Sequence, residues 1–248
     1  MPPSPKIIFT TSWDDGHPLD LRIAELLSRH NLPGTFYIPM RNTRPVLPIG
    51  DVRDLATRFE VGAHTLNHVD VTSINDAAAR AEIADSKRWV EDTTGQPCTT
   101  FCFPMGKFRR RHVAFVRDAG YRGARTVELL STTPPRPKSG VAILPTTVQA
   151  HSHRPGTYFK NIAKRGAFRN LPNLLLRARR SDWLQTAEAI LRKVLLHGGV
   201  FHVWGHAWEI EEEDQWRQLE EVLSLMDRHR NEALCLSCAQ LSEHAHAH

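Results

Sequence analysis

Two carboxylates stand side by side in TTSWDDGHP, residues 10–18, where the apolar run Ile7-Ile8-Phe9 leads into Asp14 and Asp15. Neighbouring like charges repel, so the pair is either a turn, which Asp and Gly16 favour, or a place where a cation relieves the repulsion. A cation gains weight from EVGAHTLNHVD, residues 60–70, which carries His64 and His68 in H-x-x-x-H spacing. If the chain turns helical there, residues four apart share a face and both imidazoles can reach one ion. Taken alone, the spacing fits two ordinary surface or core histidines equally well. Two histidines and one aspartate with open positions suit a single divalent ion, zinc first, with cobalt, nickel, manganese or iron also open. Either Asp15 or Asp14 can supply the carboxylate. Adjacent residues leaving a strand point in different directions, so one carboxylate can bind the ion while the other faces the water it activates.

A third candidate lies in GGVFHVWGHAWEI, residues 198–210. On a regular strand His202, Trp204 and His206 share one face, so both histidines compete for a catalytic role. His202 also reads as a buried, hydrogen-bonded residue, and both histidines stay open at this point. Trp13, Trp204 and Trp208 could form a stacking wall for a sugar ring or could be core. Asp182, ahead of the long helix, reads as an N-cap.

The elements that must position these residues alternate short apolar runs with helical patterns, which argues for βα units. The expected strands are 6–12, 34–39, 60–64, 99–104, 123–127, 141–148, 199–204 and 233–237; the expected helices are 18–30, 51–58, 75–92, 109–119, 181–197 and 212–230. This predicts an α/β fold, a single-domain, distorted (β/α) barrel of seven or eight mainly parallel strands, with a doubly wound open sheet as the runner-up. The core runs from 6 to about 238, and the alternate histidines of 239–248 read as a frayed, flexible tail. In a parallel barrel the carboxyl ends of the strands converge on one face. Asp14 and Asp15 follow the first strand, His64 and His68 the third, Pro104–Gly106 the fourth and His206 the seventh.

Composition limits the alternatives. A 248-residue chain with 41% hydrophobic and 24% charged residues is an ordinary globular protein. It has neither a membrane span nor a secretory apolar core near its start, so a cytoplasmic protein is expected. The net charge of +5 is concentrated in 107–112, 122–125 and 160–180, which could attract phosphate, an anionic glycan or nucleic acid, or be solvated helix faces. Cys98, Cys102, Cys235 and Cys238 read as structural thiols, with Cys235 in a buried strand.

Together TSWDDG, HTLNH, PMG and WGH resemble, in order, the motifs of the polysaccharide deacetylase (NodB-homology) family of metal-dependent N-deacetylases, over residues 6 to about 238. The resemblance implies that Asp14 is the general base, that Asp15 binds the metal with His64 and His68, that the Met105 backbone N–H contacts an oxyanion, and that His206 is the general acid. It also shows a departure, because Cys102 stands where many members have an Arg that orients the base, and Met105 replaces a common Tyr. The implied reaction is removal of an N-acetyl group from an amino sugar in a glycan or glycan precursor; the expected cytoplasmic location favours a precursor, with a phosphate linkage near the basic segment 160–180 as one form. A deformylase or cyclic-amide hydrolase on the same scaffold, or a catalytically silent barrel binding an anionic polymer, are the alternatives. Nucleic acid is the less expected partner, and the sequence is silent on oligomeric state.

Overall fold

The computed structural model describes residues 6–177 and 182–247. The end of the basic segment (178–180) and the start expected for the long helix (181) lie outside the described residues. In chain order the elements are β1 (Ile7–Asp14), α1 (Asp20–Arg29), β2 (Thr35–Ile38), α2 (Ile49–Ala56), β3 (Glu60–Ala63), α3 (Asp76–Thr94), β4 (Thr100–Cys102), α4 (Arg110–Asp118), β5 (Gly123–Arg125), β6 (Pro137–Lys138), β7 (Val141–Leu144), β8 (Val148–Gln149), α5 (Pro155–Arg165), α6 (Leu171–Arg177), α7 (Trp183–His197), β9 (Gly199–Gly205), α8 (Ala207–Glu212), α9 (Trp216–Arg228), β10 (Leu234–Cys235) and α10 (Cys238–Ala247).

The strands form one curled sheet in the order β6-β7-β5-β4-β3-β2-β1-β9-β8, parallel throughout except where β6 runs against β7. Its spine is β1, buried along its whole length. On one side β1 pairs with β9 from Ile7↔Gly199 to Trp13↔Gly205. On the other, β10 takes its first half and β2 its second. The run 141–148, expected as one strand, is interrupted at Pro145, which has no N–H for a ladder. Its first part pairs with β5 and its second with β9, so this one run links the two sides of a distorted (β/α) barrel.

Strand alternation sorts the side chains into two layers. Ile7, Phe9 and Trp13 of β1 pack outward with Ile23, Leu27, Leu219 and Leu223 of the helices. Ile8 packs inward with Tyr37, Cys102, Leu144 and Val200, and this inner cluster is completed by Cys238, Leu241 and Ala245. The expected flexible tail is therefore helix through Ala247, because its apolar residues plug the bottom of the barrel. Cys235, expected in a buried strand, sits in a two-residue strand and is only half-buried beside exposed Leu234. Among the described residues no helix is long and apolar enough to cross a membrane.

The plug gives a direct expectation. Leu241→Ala removes a side chain that is 1% exposed and should cost about 2–5 kcal/mol, read as a lower urea midpoint with unchanged slope. A midpoint equal to that of the unsubstituted protein is the outcome a frayed tail would give.

Candidate metal and catalytic centre

Strand register assembles the centre. Trp13 lies opposite Gly205, so the next residues, Asp14 and His206, leave their strands side by side. Ala63 lies opposite Phe101, which sets His64 beside Cys102, and Cys102 lies opposite Arg125. One row across the carboxyl ends of β1, β3, β4, β5 and β9 thus holds Asp14, His64, Cys102, Arg125 and His206.

The two aspartates part where the strand ends. Asp14 is the last residue of β1, whereas Asp15 turns into a left-handed conformation (φ 80°) followed by Gly16 (φ 63°). A Cβ at Gly16 would lie 2.5 Å from Ile38 Cγ2, so only glycine fits the turn. The H-x-x-x-H segment is a loop, so the histidines converge by strand-end geometry and not by a shared helix face. Its anchors are local: Asn67 donates its backbone N–H (2.9 Å) and its amide (2.6 Å) to Glu82 of α3, and Val69 N–H donates to Thr65 Oγ1 (3.0 Å). Thr65 (φ 56°) and His68 (φ 51°) are both left-handed. Non-glycine residues hold such conformations at a cost of about 1–3 kcal/mol each, where the surroundings over-determine them.

Asp15, His64 and His68 converge, with one ligand atom from each lying within 4.8 Å of the others. Asp15 Oδ1 is 3.0 Å from His68 Nε2 and 3.6 Å from His64 Nε2. Oδ1 is buried and makes no hydrogen bond, whereas Oδ2 accepts from Trp208 Nε1 at 2.9 Å. His64 Nδ1 is 2.9 Å from the Cys102 carbonyl, an acceptor only, so Nδ1 carries the proton. Its Nε2 faces the Asp15 carboxylate, and a carboxylate oxygen with two imidazole nitrogens is a donor set that fits a divalent ion. A second grouping, Asp14, His64 and Cys102, fits less well: burial pushes the Cys102 thiol well above its ordinary value, and Asp14 is committed elsewhere. Burial also works against ionisation of Asp15, but the facing imidazoles outweigh it and hold the carboxyl far below the usual range.

Asp14 is bound by Arg125, a residue absent from the motif-based expectation. Arg125 is fully buried, bonds Asp14 Oδ1 through Nη2, and has its guanidinium 4.6 Å from the Trp204 ring centre and 5.4 Å from Tyr37's. Cys102 contacts Asp14 only weakly, Sγ to Oδ2 at 3.8 Å. Burial opposes the Asp14 charge, yet Arg125, His64 and His206 together leave its carboxyl below the ordinary value. Arg125 is the register partner of Cys102 on the neighbouring strand, so in this chain an arginine on β5 holds Asp14.

His206 faces Asp14 from the far side, Nε2 to Oδ2 at 4.0 Å. Its Nδ1 bonds Glu209 Oε2 at 2.6 Å, and Glu209 in turn accepts from Gln149 Nε2 at 2.9 Å. Burial pushes the imidazole pKa down, but Glu209, Asp14 and Asp15 outweigh it and raise it overall. Glu209 also went unmarked in the sequence; its i,i+3 spacing from His206 is the signal that could have found it. His202 is buried and hydrogen-bonded as expected, to Ser12 Oγ (2.9 Å) and the Pro145 carbonyl (3.0 Å), with burial bringing its pKa down to about 3. Asp182 caps α7 by accepting from Gln185 N–H.

The aromatic wall needs correction. Trp13 is 0% exposed on the helix side of β1, and Trp204 is 4% exposed under Arg125. Trp208 is half-buried, with its ring against the Arg44 guanidinium (3.6 Å) and His206 and its N–H committed to Asp15. It therefore holds one oxygen of Asp15 in place. Met105, 55% exposed, sits left-handed (φ 55°) in the Pro104–Gly106 turn.

Comparison with known proteins follows this geometry. Residues 2–124 match the family model described as polysaccharide deacetylase. A Bacillus subtilis protein named YxkH and assigned to the polysaccharide deacetylases is 22% identical over 130 residues, covering 51% of this chain but only 46% of that protein's length. A Mycobacterium smegmatis structure assigned to the same group superposes with a TM-score of 0.71 at 13% identity, covering 100% of this chain and 92% of that one. The chitin deacetylase of Colletotrichum lindemuthianum gives 0.61 at 12% identity, over 96% and 88% of the two chains. A Bacillus anthracis CE4 family pseudoenzyme gives 0.56 at 17% identity, over 97% and 66%. At these identities the structural likenesses establish a shared fold.

The buried arginine makes a testable pair. Arg125→Ala leaves Asp14 buried without its ion pair and should cost about 3–5 kcal/mol in chemical denaturation. The reciprocal variant Cys102→Arg/Arg125→Cys should recover most of that loss; no recovery would mean that the position on β5 is required.

Proposed function

This chain belongs to the polysaccharide deacetylase family, whose signature spans residues 2–124, and from that premise we propose that it is a metal-dependent hydrolase removing an N-acetyl group from an amino sugar in a glycan or glycan precursor. One observation carries the reading: a buried carboxylate, Asp14, and an imidazole, His206, face each other 4.0 Å apart beside the Asp15, His64 and His68 donor set. A divalent ion held by those three residues, zinc being the best fit, would acidify water and polarise the amide carbonyl when bound.

The chain's own groups supply the proton transfers. Asp14, ionised and held by Arg125, accepts a proton as water forms the new C–O bond. The Met105 N–H, available whatever the side chain, stabilises the oxyanion that develops. His206, protonated at Nε2 while Nδ1 is tied to Glu209, gives its proton to the sugar nitrogen as the C–N bond breaks. Acetate and a free amine leave, and proton exchange with solvent resets Asp14 and His206.

The assignment predicts that Asp14→Asn and His206→Ala each lower acetate release about 10²- to 10⁴-fold, while Asp182→Ala retains activity. Equal rates for Asp14→Asn and the unsubstituted protein would defeat it. Release of formate in place of acetate would redirect the reading to a deformylase, and no release from any N-acyl sugar would align the chain with the catalytically silent alternative.

A pH dependence also follows. The reaction needs Asp14 ionised, favoured above its lowered pKa, and His206 protonated, favoured below its raised one, so kcat/KM should be bell-shaped. Glu209→Gln removes the charge that raises His206, and the alkaline limb should therefore move to lower pH while the acid limb stays. An unmoved alkaline limb assigns that limb to another group.

A further inference from the structure

Resting on the reading of the centre as an amide hydrolase, we propose that its substrate carries a phosphate or diphosphate group beside the amino sugar, bound in the basic cleft behind the Pro104–Gly106 turn. The cleft has a volume of about 1350 Å³, more than one sugar ring needs, and shares Gly106 and Lys107 with the end of that turn. It also reaches Thr126, the residue after Arg125. A ligand filling it therefore touches the turn that carries Met105, while Asp14, Asp15, His64, His68 and His206 lie outside its lining.

Its charge is one-sided. Ten lysine and arginine residues line it against a single carboxylate, Glu128, an excess larger than the +5 net charge of the whole chain. Glu128 is already engaged by Arg169 at 3.2 Å and Asn170 at 3.1 Å. Several of the cations have acidic partners elsewhere, such as Lys107 with Asp70 at 2.9 Å. Among the described residues, Arg109, Arg110, Arg136, Lys138 and Lys164 have no ion pair, and they come from three walls: the start of α4, the Pro-rich loop around β6, and the end of α5. Like charges gathered from three elements repel one another, and an anion between them removes that cost.

Arg165 adds an independent observation. Its Nη2 donates to the Gly106 carbonyl at 2.9 Å, while its Nε is buried without a partner. The guanidinium thus ties the turn that carries Met105 to the cleft wall and keeps a donor unused. A phosphate concentrates charge and acceptor oxygens in the small space such donors require. A nucleic acid strand fits less well, because the single aromatic ring on the wall, Phe108, is stacked on Phe103 at 4.4 Å and offers little platform for bases. The diphosphate could come from a nucleotide-linked or a lipid-linked sugar.

The test separates the cleft from the chemistry. Inorganic pyrophosphate is titrated calorimetrically at 50 and 200 mM salt into the unsubstituted protein and into Arg136→Glu/Lys164→Glu, whose side chains lie outside the catalytic groups. Saturable binding that weakens with salt, and that the double variant weakens by about tenfold or more, supports the proposal. Absent binding, or equal binding by the variant, overturns it. Acetate release is then compared on UDP-N-acetylglucosamine, a farnesyl-diphosphate-linked N-acetylglucosamine in detergent micelles, and neutral chitotetraose. The expected result is a preference for one diphosphate substrate, expressed in KM and lost in the variant, with turnover of chitotetraose unchanged; which substrate wins identifies the source. Preference for chitotetraose by the unsubstituted protein contradicts the proposal. Charge-dependent pyrophosphate binding with no acetate from any substrate would instead keep the anion site and remove the hydrolase reading.

Discussion

The centre depends on one convergence, the Asp15 carboxylate and the His64 and His68 imidazoles offering ligand atoms within 4.8 Å of one another. The Cys102 carbonyl takes the Nδ1 proton of His64, so the other ring nitrogen faces Asp15 Oδ1. That oxygen is buried and lacks a hydrogen bond, while its partner oxygen is held by Trp208. Burying an acceptor without a donor costs about 1–3 kcal/mol, and more for a charged group. The sequence maintains this unfavourable pair on backbones that are themselves strained, with Asp15 and His68 both left-handed. Strained backbone of this kind clusters at functional sites.

The rest of the fold serves that point. Long register between β1 and β9 delivers Asp14 and His206 to opposite sides of one space, and the inward set of β-strand positions gives the barrel a polar upper interior in which Arg125 can be buried. The ion pair of Arg125 and Asp14 is expensive to break, since either charge alone would be stranded in the interior. Cys102 and Arg125 are register partners on β4 and β5, so both side chains reach Asp14 from neighbouring strands.

Much of this was legible beforehand, for identifiable reasons. The alternation of short apolar runs and helices carried the barrel, and the expected convergence of strand ends carried the grouping of Asp14, Asp15, His64, His68 and His206. Residue types at fixed spacing report a centre well when each sits just after a strand. Arg125 was hidden because its partner lies 111 residues away, and only strand register, not spacing, links them. Trp13 was left open between a sugar wall and the core although alternation contains the answer: if Asp14 points inward, the residue before it points to the helices. The helical tail was hidden by histidines, whose polarity masks the apolar contacts of Leu241 and Ala245 with the barrel floor. The loop at 64–70 escaped because H-x-x-x-H spacing suits a helix, while the clamp on Asn67 comes from Glu82 on α3.

The most direct test of the central claim is anomalous diffraction from crystals of the protein grown with zinc and measured across the zinc absorption edge. A single strong anomalous peak within bonding distance of Asp15 Oδ1, His64 Nε2 and His68 Nε2 is the result the arrangement requires. Full-occupancy crystals with no peak there, and with the His64 ring donating directly to Asp15, would show that a proton and not a metal resolves the facing acceptors.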